Sequence, residues 1–193
     1  MPRAVNADAR RHDLVREAAE LFDRDGYHSV NVGRLARAVG ISQSTLYHYF
    51  SSKSEILCSI HEEFIDLLLE QQAARAGTPP LDELRAVMTD VLALMETHRG
   101  HVRVFFEHHR ELDEADRSQL REKRDAYFTG VRRAIVDGIE RGELRDDDPS
   151  LLALALFGMC NWAYQWFDAD GPRSSEQVAA LFFDLLANGL RAR

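Results

Sequence analysis

Residues Gly33 to Ser54, GRLARAVGISQSTLYHYFSSKS, decide the fold. Their spacing predicts two short helices joined by a tight turn, followed by the start of a third. The first helix spans Val32 to Val39 and turns Leu35, Ala36 and Val39 inward. Gly40 is the turn residue, because the chain needs a positive φ there and glycine has no Cβ to clash. Ser42 is placed as an N-cap whose hydroxyl accepts from the exposed amides of the next helix. That helix, Gln43 to Phe50, is polar in front and aromatic behind. A short helix, a glycine turn and a helix with a polar leading end make a helix-turn-helix.

Upstream, residues 1–8 read as a flexible basic arm. A helix follows from Asp8 to Asp25, with Leu14, Ala18, Leu21 and Phe22 on one stripe and Gly26 at its end. Downstream, Lys53 to Ala76 carries a helical stripe that includes Ile56, Ile60, Phe64 and Leu68, and Gly77-Thr78-Pro79-Pro80 breaks it. Further helices are predicted over Leu81–His98, His101–Leu112, Glu114–Arg141 and Ser150–Phe167, with Arg99-Gly100 as an interruption. Ser174 and Gln177 are spaced as a capping box for a last helix, whose stripe runs from Val178 to Leu190. No segment reads as a strand. The expectation is an all-α chain of about nine helices. A three-helix helix-turn-helix head over residues 1–54 is joined to a helical body over 55–193.

At 193 residues the chain needs no disulfide or metal to hold a core. Its two cysteines, Cys58 and Cys160, lie among apolar neighbours and read as small buried hydrophobes of a reducing cytosol. No apolar run reaches the ~20 residues of a membrane span. The first residues lack the apolar core of a signal peptide. A cytoplasmic protein with no membrane partner is expected. Net charge is −8, but it is unevenly spread. Residues 1–60 hold eight basic and seven acidic residues, and residues 61–193 hold sixteen and twenty-five. A near-neutral head with several arginines and an acidic body would orient the chain on a polyanion.

A helix in the major groove of double-stranded DNA presents its leading residues to base edges. Here those residues are Ser42, Gln43, Ser44, Thr45, Tyr47 and His48. Gln43 suits an adenine edge, and Thr45 offers a methyl to thymine or a hydroxyl to phosphate. Tyr47 either faces the duplex or packs against the first helix. Ser29, Asn31, Arg34 and Lys53 are placed for phosphates, as are Arg3, Arg10, Arg11 and Arg37. One head reads only a few base pairs, so a palindromic operator calls for two heads roughly 34 Å or more apart. The last two helices carry more apolar surface than a small body needs. Leu156, Val178, Leu181, Phe182, Leu185 and Leu186 therefore either form a homodimer interface or close the chain's own core.

The helix before the turn, Gly40-Ile41-Ser42, Thr45-Leu46-Tyr47, Tyr49-Phe50 and Ser52-Lys53 together resemble the TetR family of transcriptional regulators. The resemblance is specific over the first third of the chain and extends to the rest as an all-helical layout. It implies that Tyr47 and His48 contact the DNA backbone and base edges. It also implies that the last two helices form a four-helix interface with a second copy, and that the body encloses a pocket for a hydrophobic effector. Phe105, His108, Tyr127, Val131, Asn161, Trp162, Gln165 and Trp166 supply the aromatic walls and few polar groups such a pocket requires. Any single one of them is also at home in an ordinary core. The stretch Asn161-Trp162-x-x-Gln165-Trp166-Phe167, with Gly171-Pro172 and Ser174, resembles the subgroup that senses acyl-CoA thioesters of fatty-acid or sterol breakdown. Arg103, Arg110 and Arg133 are the candidates for CoA phosphates, without forming a cluster.

His98, His101, His108 and His109 raise a metal site, but they lack a pair at i, i+4 with a carboxylate, and thiolates are absent there. Polar or pocket-lining roles are favoured, and no metal or cofactor is expected. No GxSxG, Cys/His pair or paired-carboxylate motif supports an enzyme acting on thioesters. A regulator of efflux answering a non-CoA aromatic molecule, and an activator or a DNA-binding protein without effector, remain the other readings. The first expectation is a homodimeric repressor released by a hydrophobic effector.

Overall fold

The turn and its caps form as the local chemistry requires. In the computed structural model, which describes residues 2–190 and side chains from 7 to 189, Gly40 takes φ +71°. The helices are α1 (Pro2–Asp25), α2 (Val32–Ala38), α3 (Gln43–Tyr49), α4 (Lys53–Ala74), α5 (Pro80–Thr97), α6 (Arg99–Glu107), α7 (Glu114–Glu140), α8 (Pro149–Trp162) and α9 (Ser175–Leu190). Single 3-10 turns occupy Tyr27–Ser29, His109–Glu111 and Ala163–Gln165, and no strand occurs among the described residues.

Most helix ends fall within a residue or two of the sequence reading, and four differences bear on the architecture. First, the segment read as a basic arm is the start of α1, with a proline at the first helical position and alanines and arginines behind it. Arg3 and Leu190 lie outside the residues whose side chains are described. Second, Arg99-Gly100 does not interrupt a helix but opens α6. Third, α6 stops at Glu107 and gives way to a 3-10 turn. Fourth, α8 ends at Trp162, so Tyr164, Trp166 and Phe167 follow it rather than lie on it. There Trp166 N bonds the carbonyl of the buried Ala163 three residues back (3.1 Å), which tightens the chain into a 3-10 turn, and Phe167 N closes on the same carbonyl at 2.8 Å.

The chain divides into two compact units. The first takes residues up to 64 with 98–121, and the second takes 65–97 with 122 onward. The first unit therefore holds α6 and the start of α7 besides the helix-turn-helix. Its core is the α1 stripe of Leu14, Val15, Ala18, Leu21 and Phe22, covered by Leu35, Leu46 and Phe50 and by Ile56, Leu57 and Ile60 of α4. α6 packs directly against α1. A Cβ built on Gly100 would stand 2.8 Å from the carbonyl carbon of Ala19 and 2.8 Å from the amide nitrogen of Glu20. Small residues on both sides thus let the two backbones touch.

In the second unit α5 is central. Leu84, Val87, Met88, Val91, Leu92 and Met95 are buried, and α5 packs against α8 and α9. Full burial of each such side chain is worth roughly 1.5–3 kcal/mol. Asp148 caps α8, accepting from Ser150 N (2.8 Å) and Leu151 N (3.4 Å), ahead of Pro149 at the first turn. The capping box of α9 forms as read: Gln177 N donates to Ser174 Oγ (3.3 Å) and Ser174 N to Gln177 Oε1 (3.2 Å). Glu96 of α5 also accepts from Ser175 N at 2.6 Å, which pins the start of α9 to α5. Cys58 and Cys160 are free and buried, and burial pushes each thiol up to about 12.

Replacing Gly100 by alanine tests the backbone contact. Helix propensity favours alanine by about 1 kcal/mol, whereas overpacking against backbone costs about 1–3 kcal/mol. Gly100→Ala is expected to lower the urea midpoint of unfolding. An unchanged or raised midpoint would show that α6 has room to move off α1.

Candidate functional site

Two polar caps fix the angle at which α3 is presented. Asn31 Oδ1 accepts from Arg34 N at 2.8 Å and starts α2. Ser42 Oγ accepts from Thr45 N at 3.0 Å and starts α3. The same Ser42 oxygen lies 2.7 Å from Thr45 Oγ1 and 2.8 Å from Ser44 Oγ, so the three hydroxyls form one chain. Leu46 and Phe50 are buried and lock α3 inward, with the Arg11 guanidinium 4.7 Å above the Phe50 ring. Gln43, Ser44 and His48 are exposed, and Tyr47 is 48% exposed. Tyr47 is thus not among the buried residues of the first unit.

The residues placed for phosphates divide. Ser29 is exposed beside the turn that leads into α2. Arg34 is exposed in part but pairs with Asp25 at the end of α1, 2.8 Å away. Arg10 and Arg37 are exposed and make no ion pair among the described residues. Lys53 is turned inward: its Nζ donates to the Tyr27 carbonyl and sits 3.9 Å over the Tyr27 ring, and burial lowers its pKa. Nothing in the sequence around Tyr27 signals this contact, since the two residues are 26 apart.

The same unit holds two histidine–carboxylate links. Glu63 of α4 lies 3.1 Å from His12 of α1 and 3.2 Å from the buried His101 of α6, so one carboxylate ties three helices. Glu111 lies 3.1 Å from His28 and 3.4 Å from His108, whose ring is 5.7 Å from Tyr27. Burial raises the Glu111 carboxyl, but hydrogen bonds from His108 and His28 outweigh it and hold its pKa down. His108 is thus engaged with the head. Arg103 likewise pairs with Asp23 and Glu107, each at 2.9 Å. Among the described residues no group of three His, Cys, Asp or Glu is arranged to hold a metal. A cleft of about 400 Å³ beside Cys58, lined by Glu55, Glu62, Asp113 and Asp116, is polar rather than apolar.

The residues read as an effector pocket separate in the same way. Phe105 packs in the first unit against Phe64, with ring centroids 4.4 Å apart. Tyr127 and Val131 are buried in the second unit, and Tyr127 meets Phe157 at 5.7 Å. Asn161 is partly covered, Gln165 is exposed, Trp162 is 65% exposed at the last position of α8, and Trp166 is 50% exposed beyond it. Of the residues read as a dimer interface, Leu156 and Val178 are buried in the chain's own core. Leu181 and Leu185 are exposed, while Phe182 and Leu186 are half-buried. Sequence reading missed Leu151 and Leu154, which are 60% and 55% exposed on α8. They lie on one helical face with Gly158 and Trp162, at the 3–4 residue spacing of a stripe.

Residues 14–60 match the family model of bacterial regulatory proteins of the tetR family, and residues 77–190 match that of the tetracyclin repressor-like C-terminal domain. The chain belongs to the TetR family. It is 24% identical over 190 residues to the HTH-type transcriptional repressor KstR2 of Mycolicibacterium smegmatis, covering 94% of this chain and 91% of that one. The structure of the TetR family regulator PfmR from Thermus thermophilus superposes with a TM-score of 0.86 at 31% identity, covering 91% of this chain and 97% of that one. AibR, solved in complex with isovaleryl coenzyme A and operator DNA, superposes with a TM-score of 0.82 at 26% identity, covering 91% and 97%. This TetR-family chain is a DNA-binding transcriptional regulator and not an enzyme. None of its described helices is long and apolar enough to cross a membrane.

His98, whose ring lies 5.6 Å from that of His101, makes a pH prediction. Burial, then the neighbouring His101 and His12, push His98 below its usual 6.5, so the unfolded chain binds this proton more tightly than the folded one. The stability tied to neutral His98 is complete above pH 6.5 and is lost as pH falls through the lowered folded-state value. Thermal unfolding at pH steps from about 7.5 to 5.5 should show stability falling with acid. His98→Gln should flatten that slope, and an equal slope in the variant would assign the effect elsewhere.

Proposed function

We propose that this regulator is a homodimeric repressor that binds a palindromic operator through α3 and is released by a hydrophobic effector, with acyl-CoA thioesters as the first class to test. Residues 1–54 carry the DNA contacts and 55–193 the effector and the dimer interface. The observation that carries the reading is the pairing of an exposed polar face on α3 with an exposed apolar face on α8 and α9. A polar α3 face alone reads a few base pairs, and a second copy doubles the site. The apolar stripe of Leu151, Leu154, Trp162, Leu181 and Leu185 is what a second copy would cover. The likeness to a protein named as a repressor, and to AibR bound to isovaleryl coenzyme A and operator DNA, supports the same reading.

Gln43, Ser44, Thr45, Tyr47 and His48 meet the major groove. Asn31 and Ser42 hold the helices at the required angle, while Ser29, Arg10, Arg34 and Arg37 face phosphates. Lys53 acts by fixing the turn at Tyr27. Effector and operator bind different states of the dimer. DNA affinity then falls by the ratio of the effector's affinities for those two states.

Fluorescence anisotropy on duplexes flanking the gene, at fixed salt, tests this with and without a series of acyl-CoAs. Specific binding that one thioester releases is the expected result; binding indifferent to every thioester removes the acyl-CoA effector. Gln43→Ala should cost about 1–3 kcal/mol on the preferred duplex and much less on others. A uniform loss across duplexes would take Gln43 away from the base edges.

The dimer is tested apart from DNA. Leu154→Arg and Leu185→Arg place a charge on the apolar stripe without touching the core. Light scattering should report a dimer for the parent chain and a monomer of unchanged helicity for each variant. A monomeric parent would overturn the interface.

A further inference from the structure

The second unit buries polar atoms that its packing does not use. Arg75, just past α4, pairs with Glu83 (3.1 Å) and Asp90 (2.6 Å) of α5. Arg75 Nη2, Glu83 Oε1, Gln71 Oε1 and the Tyr127 hydroxyl are buried, and none has a hydrogen-bond partner among the described residues. Tyr127 is 4% exposed, so its hydroxyl has no access to bulk solvent. Asp90, Arg75 and Glu83 are near enough for their charges to act on that hydroxyl. Gln72 Nε2 donates to the Tyr127 carbonyl at 3.5 Å and fixes its backbone. Helices α4, α5 and α7 thus converge on one small group of unsatisfied donors and acceptors inside an otherwise apolar core.

Buried polar groups are nearly always satisfied, and leaving them without partners is costly. The set holds donors (Arg75 Nη2 and the Tyr127 hydroxyl) and acceptors (Glu83 Oε1 and Gln71 Oε1). A ketone satisfies only the donors, and a hydrocarbon satisfies nothing. An anion meets two carboxylates against one guanidinium. Of these groups an alcohol is the one that both accepts and donates, so it answers both kinds.

We propose that Tyr127, Arg75 and Glu83 form a polar subsite that selects an effector carrying an uncharged hydroxyl group on its hydrophobic part. This rests on the effector-binding reading above and narrows it from any hydrophobic molecule to a hydroxylated one. A buried site built to bond a hydroxyl rejects the analogue that lacks it far more strongly than an apolar pocket rejects an extra methylene.

Titration calorimetry on the full chain compares dodecanoyl-CoA with a series of its monohydroxy isomers. The expected result is that one isomer binds about ten-fold tighter or more than the parent thioester. Tyr127→Phe should erase that preference, so that the hydroxylated isomers bind no tighter than the unsubstituted thioester. Equal binding of all members, or a preference that survives Tyr127→Phe, overturns the subsite and leaves the effector reading standing. Binding of no member overturns the subsite together with the acyl-CoA effector. A ligand-free measurement gives a second check. Because the hydroxyl has no partner, Tyr127→Phe should hold the melting temperature within about 2 °C or raise it. A larger fall would show that the hydroxyl is already bonded in the free chain and would overturn the assignment.

Discussion

The first unit depends on the contact of two backbones. α6 lies on α1 at Gly100 so closely that a single methyl group would strike Ala19 and Glu20. That proximity is what lets Glu63 bridge His12 and His101, and Asp23 pair with Arg103. Side chains of this length make such contacts only when their helices are drawn together. Farther along, the 3-10 turn after α6 brings Glu111 to His28, next to the turn that feeds α2. The helix-turn-helix is therefore supported from behind by α6 as well as by α1 and α4.

The local rules were legible in the sequence. A positive-φ glycine, an N-cap serine, a capping box and a proline start are written in one to four adjacent residues, and Gly40, Ser42, Ser174 and Pro149 all behave accordingly. Apolar periodicity placed the stripes of α1, α4 and α5. The same reading failed at Gly100, because a glycine inside a helix looks like a breaker until its neighbour is known. It also carried α8 too far, since the run through Trp162 to Phe167 is apolar enough to continue.

The sites divide along the same line. The exposed face of α3 followed from helical phase alone. Lys53 did not, because a lysine at a helix start suits a phosphate as well as a tyrosine ring, and only the fold shows which is within reach. Leu156 and Val178 share the composition of an interface but lie on the inner side of their helices, and Leu151 and Leu154 lie on the outer. Arg75, Glu83 and Tyr127 are separated by 52 positions, so no window of sequence joins them.

Both tryptophans of the chain, Trp162 and Trp166, stand at the exposed end of α8. The protein's indole emission therefore originates from one small patch of its surface. Covering that patch would shift the emission to the blue and shield it from soluble quenchers. The molecule thus carries its own optical probe of one face, with no label to attach.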